Sequence, residues 1–161
     1  MRGYQQLGLE VNEESKGNYI PKVQVSMVKE IYVNNPAYRC SEDVANSEIV
    51  EKELRGSDRE KFICVHFNTQ NQIISYEVVS MGSLTCSIVH PREVFKAAIL
   101  ANAASVLFMH NHPSGNTEPS IDDIEATKRL CKAGSILGIN VLDHLIITTA
   151  DYLSFRQKGL I

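Results

Sequence analysis

Residues 105–112 read Ser-Val-Leu-Phe-Met-His-Asn-His, with Pro113-Ser114-Gly115 directly after them. Ser105 to Met109 is a short apolar run, most simply a strand buried inside a sheet. Residues two apart on a strand point to one face, so His110 and His112 can converge on a single point. Asn116-Thr117-Glu118-Pro119 continues as a loop, and Ser120-Ile121-Asp122-Asp123 opens a helix. That helix runs to Leu137, with Gly138 as its stop. Ile139 to Thr148 is a further strand.

Working toward the N-terminus, Pro91 fits the first position of a helix reaching about Asn102, with Val94, Phe95, Ala98 and Ile99 as its apolar stripe. Lys61 to Asn68 and Gln72 to Met81 read as two strands joined through Thr69-Gln70-Asn71. Ser41 opens a helix through about Leu54, with Glu42 and Asp43 in the first turn where the macrodipole favours them. Val23 to Val33 suggests a first strand, closed by Asn34-Asn35-Pro36. Residues 1–22 are polar without sustained periodicity and read as a tail, so 23–161 is expected to form one domain. Tyr152 to Leu160 reads as a short amphipathic end. Strands interleaved with helices point to an α/β or α+β fold, a three-layer sandwich around a mixed β-sheet.

The 161 residues carry 16 Lys+Arg against 19 Asp+Glu, a net charge of -3. That mild acidity argues against the broad basic footprint of a nucleic-acid binder. No apolar run is long enough to span a bilayer and the first residues lack a secretion signal, so a cytoplasmic protein without a membrane partner is expected. The scattered Cys40, Cys64, Cys86 and Cys131 form no CxxC pair and read as buried free thiols.

Two His and an Asp, on a strand end and a helix start joined by a short loop, match three ligands of a catalytic zinc with an open fourth position. Such a zinc brings the pKa of bound water near 7 and polarises a carbonyl. Competing readings exist for the same residues. Ser120-x-x-Asp123 is also a capping box, which makes the helix cap and the metal rivals for Asp123. His90 or His144 could close the site into a structural one, whereas His66 reads as a plain strand residue. Periodicity places Asp123 with Thr127, Leu130 and Gly134 on the inward face, and a buried carboxylate needs a partner.

His110-x-His112, seven residues, Ser120, two residues and Asp123 resembles the JAMM motif of the JAB/MPN+ metalloproteases. Val89-His90-Pro91-Arg92-Glu93-Val94-Phe95, Ala103-Ala104-Ser105, Gly138-Ile139 and Asp143-His144 resemble its RadC-type bacterial branch. The likeness runs from about Ser41 to Ile161 and implies a JAB/MPN, cytidine-deaminase-like architecture. It implies one Zn2+ per chain on His110, His112 and Asp123, with Ser120 supporting the oxyanion. It also implies Glu77 as general base and proton donor; Glu93, Glu118 and Asp122 are the rival carboxylates. The implied activity is hydrolysis of a peptide or isopeptide bond in a protein or peptide substrate. Two other readings stand beside it, a non-catalytic metal-binding interaction module and a DNA-associated protein. The second is weakened because the region before Ser41 is too short for the helix-hairpin-helix module that full-length RadC-type proteins resemble.

Overall fold

The computed structural model describes residues 38, 40–82 and 89–161. The expected strand at 23–33, the polar stretch 1–22 and Cys86 lie outside them. Within them run α1 (Ser41–Ala45), α2 (Glu48–Glu53), β1 (Lys61–Phe67), β2 (Ile73–Met81), α3 (Pro91–Leu100), β3 (Ser105–Asn111), α4 (Ile121–Leu137), β4 (Asn140–Ile147) and β5 (Tyr152–Ser154). The strands form one mixed sheet in the order β2-β1-β3-β4-β5. The β3–β4 pair is parallel, with α4 as its crossover, and the other pairs are antiparallel.

The two faces of the sheet are covered by different helices, which is the expected three-layer α/β sandwich. On one side Val44, Ala45, Ile49, Val50 and Leu54 of the first helices pack on Ile63, Val65, Leu107 and Met109. On the other, Val94, Phe95, Ala98 and Leu130 of α3 and α4 pack on Phe62, Cys64, Val106 and Phe108. Because β3 lies between two strands and two helical layers, every one of its residues is buried, and it reads as an apolar run without alternation.

Three expectations change. The helix expected over 41–54 is two helices that break at Asn46-Ser47, where Ser47 is extended (φ -78, ψ 159). Asn and Ser both favour helix ends over interiors, and the break lets Ile49 and Val50 turn back onto the sheet. The amphipathic C-terminal end begins instead as β5, paired to β4 at Leu145↔Ser154. Of the three described cysteines, all free, only Cys64 is buried; Cys40 is exposed and Cys131 half-buried. Among the described residues no helix is long and apolar enough to cross a membrane.

The end of α4 is set by close approach. A Cβ on Gly134 would stand 2.6 Å from the Ile139 carbonyl oxygen and 3.3 Å from Phe95, while the Ile139 amide donates to the Gly134 carbonyl at 2.9 Å. Gly134→Ala is therefore expected to lower unfolding free energy by about 1–3 kcal/mol in urea titrations. A change below roughly 0.5 kcal/mol would mean that α4 shifts aside freely.

Candidate metal centre

On the face toward α4, the apolar register of β3 gives way at the end of the buried strand to its first polar side chain there, His110, whose ring is 1% exposed. Asn111 faces the other way and clamps the start of β1. Its Oδ1 accepts from the Lys61 amide at 2.8 Å and its Nδ2 donates to the Arg59 carbonyl at 3.0 Å. His112 returns to the side of His110, held by a bond from its own amide to the Ile147 carbonyl. The loop then turns through Gly115 (φ 79), which suits glycine, and α4 begins.

Ser120 caps α4, and the cap and the cluster turn out to be compatible. The Ser120 Oγ accepts from the Asp123 amide at 3.1 Å, and Asp123 Oδ2 accepts from the Ser120 amide at 2.8 Å and hydroxyl at 2.6 Å. This reciprocal pair is a capping box. It fixes one carboxylate oxygen and turns the other, Oδ1, toward His110 Nε2 at 3.5 Å. The helix cap and the cluster are thus not alternatives: one carboxylate serves both through different oxygens.

His110 Nε2 and His112 Nε2 lie 2.9 Å apart, and the ligating atoms of His110, His112 and Asp123 all lie within 4.8 Å of one another. His112 Nδ1 is 2.7 Å from the Asn116 carbonyl oxygen. A carbonyl only accepts, so Nδ1 carries the hydrogen and neutral His112 presents a bare Nε2. Two ring nitrogens this close need either a hydrogen on one of them or a cation between them. A divalent cation fits that demand, so the group could hold a metal.

The electrostatics agree. Burial pushes His110 down to about 4, against the opposing charge of Asp123. Burial pushes the Asp123 carboxyl up, but the facing His112 and His110 rings and the Ser120 bonds outweigh it and hold the acid well below its usual range. His112 is raised, chiefly by Asp123, with burial opposing and the Asn116 carbonyl and Glu60 charge adding. At 3.7 Å, the His112 Nε2 to Asp123 Oδ2 approach is a charge contact and too long for a hydrogen bond.

The other candidate ligands are engaged elsewhere. His90 is the N-cap of α3, its Nδ1 accepting from the Arg92 amide at 3.1 Å. His144 is buried, with one ring nitrogen 2.8 Å from His110 Nδ1 and the other 2.6 Å from Thr127 Oγ1, so neither is open to a metal. His66 sits against Ser75 Oγ at 2.8 Å.

Glu77 is on the same face of the sheet as His110: it pairs with Cys64, which pairs with Phe108, while Phe62 pairs with His110. It stands two strands away, roughly 10 Å across the sheet, and is not one of the three clustered residues. Its Oε2 is buried without a hydrogen-bond partner. Burial raises its pKa, Lys96 opposes and Glu93 adds. Glu93 is ion-paired to Arg92 at 3.0 Å and Lys96 at 3.1 Å, and Glu118 and Asp122 are exposed. Sequence reasoning gave no functional role to Glu60, whose charge helps raise His112, or to Thr127. A threonine on the inward face of a helix was the available signal for the latter.

A mixed sheet sandwiched by helices, with two His and one Asp converging at the end of the central parallel pair, defines an α/β domain with a metal-competent site. Residues 38–160 match the RadC-like JAB domain, and the chain belongs to that family. A UPF0758 protein of Desulforamulus reducens is 51% identical over 123 residues, covering 76% of this chain and 53% of that protein. One of Bacillus mycoides is 47% identical over 133 residues, covering 83% and 58%. The chain thus spans little more than half the length of these relatives.

The buried rings set a pH dependence. His66 and His110 are held near 4 and His144 well below 6.5, all by burial. Below about 6.5 the unfolded chain binds protons that the folded rings refuse, so stability falls with acidification. His112, raised, acts in the opposite sense: its contribution is present below its unfolded value and is lost as pH rises through the folded one. Three lowered rings against one raised predict that the metal-free protein has a lower urea midpoint at pH 4.5 than at pH 7. A flat profile would mean the rings are not buried in neutral form.

Proposed function

We propose that the protein is a zinc-dependent hydrolase that cleaves a peptide or isopeptide bond in a protein or peptide substrate. The observation that carries this reading is the meeting of His110 Nε2, His112 Nε2 and the free oxygen of Asp123 at separations of 2.9 and 3.5 Å. His110, His112 and Asp123 would hold the ion. Zinc bound by three protein groups lowers the pKa of a coordinated water and polarises a substrate carbonyl.

The chain's own groups supply the remaining steps. Glu77 takes a proton at its carboxylate and later returns it to the leaving amine. Its partnerless Oε2 and raised pKa suit such an exchange. Ser120 can keep accepting from the Asp123 amide while its hydroxyl hydrogen, now on Asp123 Oδ2, turns to a developing oxyanion. Membership in the RadC-like JAB family supports hydrolysis; the names of the relatives assign them no activity.

Purified protein is expected to contain about one zinc per chain, measured by elemental analysis, and His112→Ala is expected to lose it. Metal-free but well-folded wild type, even after zinc is added back, would leave Ser120 and Asp123 as a helix cap alone and favour an interaction module. Glu77→Gln is expected to keep the metal and lose at least about 100-fold in turnover of an amide substrate. Full turnover in that variant would remove Glu77 from the mechanism.

A further inference from the structure

Behind His110 lies a buried polar chain. His110 Nδ1 is 2.8 Å from His144 Nε2, His144 Nδ1 is 2.6 Å from Thr127 Oγ1, and Thr127 Oγ1 is 2.6 Å from the Asp123 carbonyl oxygen. The hydrogens follow from the far end of this chain. The Asp123 carbonyl has none to give, so the Thr127 hydroxyl donates to it and can only accept from His144. His144 therefore carries its hydrogen on Nδ1 and presents a bare Nε2. Against that bare nitrogen, neutral His110 must carry its hydrogen on Nδ1, leaving its own Nε2 bare toward His112 and Asp123.

Ring rotation cannot rewire this order. His144 stacks on Phe155 (4.6 Å between centroids, 25°) and meets Phe62 and Phe108 edge-on at 5.5 and 6.1 Å. Thr127 lies one turn beyond Asp123 on α4. The helix that contributes one member of the cluster thus also dictates the tautomer of another, and the chain closes into a ring through both.

We infer that Thr127 and His144 are positioning residues that fix His110 as the Nδ1–H tautomer and hold its Nε2 ready for the ion. The inference deepens the zinc reading above and rests on it for the role of the bare nitrogen. Groups that orient a ligating histidine through its second nitrogen commonly change metal affinity by about 10–100-fold when removed.

Two measurements test it. In metal-free wild type at pH 8, two-bond 15N–1H spectra of labelled histidines are expected to show His110 and His144 protonated on Nδ1 and bare on Nε2. Either ring carrying its hydrogen on Nε2 would overturn the inference. In chelator competition, Thr127→Val is expected to bind zinc about 10–100-fold more weakly than wild type, with His110 shifting toward the Nε2–H form. Thr127→Ser, which keeps the hydroxyl, is expected to restore both readouts. Wild-type affinity and tautomers in Thr127→Val would overturn it, and Thr127→Ala takes its place should the valine variant not fold. Failure of the zinc reading is separable: it shows as wild type that takes up no zinc, while the tautomers of the metal-free protein still decide the relay.

Discussion

The burial of β3 on both faces and both edges is the constraint on which the rest depends. A strand placed so must pair its whole backbone, and it does, with β1 on one side and β4 on the other. It must also be apolar until it leaves the sheet, so its first polar side chain on the α4 side, His110, appears where β3 meets the start of the crossover. In parallel α/β pairs that end of the sheet is where loops leave strands and helices begin, and where ligands commonly bind. The position of the cluster follows from the packing of a strand whose other residues have no chemical role.

Most polar groups buried around that strand have their oxygens and nitrogens met, His66 Nε2 being one exception. Asp143, 1% exposed, shows the rule. Its carboxylate accepts from the Ser41 and Ser154 hydroxyls and from the His144 and Arg156 amides. These bonds fasten α1, β5 and the following turn to β4, and they anchor the backbone of His144. A carboxyl group this deeply placed is tolerable because donors replace the water it lost. Glu77 Oε2 departs from this pattern as a buried oxygen that no donor meets.

Much of this was legible along the chain. The apolar run before His110, the His-x-His step and the Ser-x-x-Asp start of α4 are local patterns, and their periodicities carried over into strand and helix with small shifts at the ends. Contacts between residues far apart in sequence were not legible. Thr127, His144 and His110 meet across separations of 17 and 34 residues, and no local period encodes that. The break at Asn46-Ser47 has only a weak local sign, two residues that favour helix ends, while both halves are helical. His144 looked like a spare ligand because its sequence neighbours say nothing about where its ring nitrogens point.

Asp123 serves two masters, and this bears on how such sequences drift. Its carboxylate starts α4 and also belongs to the cluster, and Ser120 is bound into the same reciprocal cap. A descendant that no longer used the cluster would still be penalised for losing either residue, because the helix would fray at its first turn. His112 caps no helix: outside the cluster its ring bonds only the Asn116 carbonyl among the described residues. Copies of this domain that no longer use the cluster should accordingly keep the serine and aspartate as its fossil and shed the second histidine first.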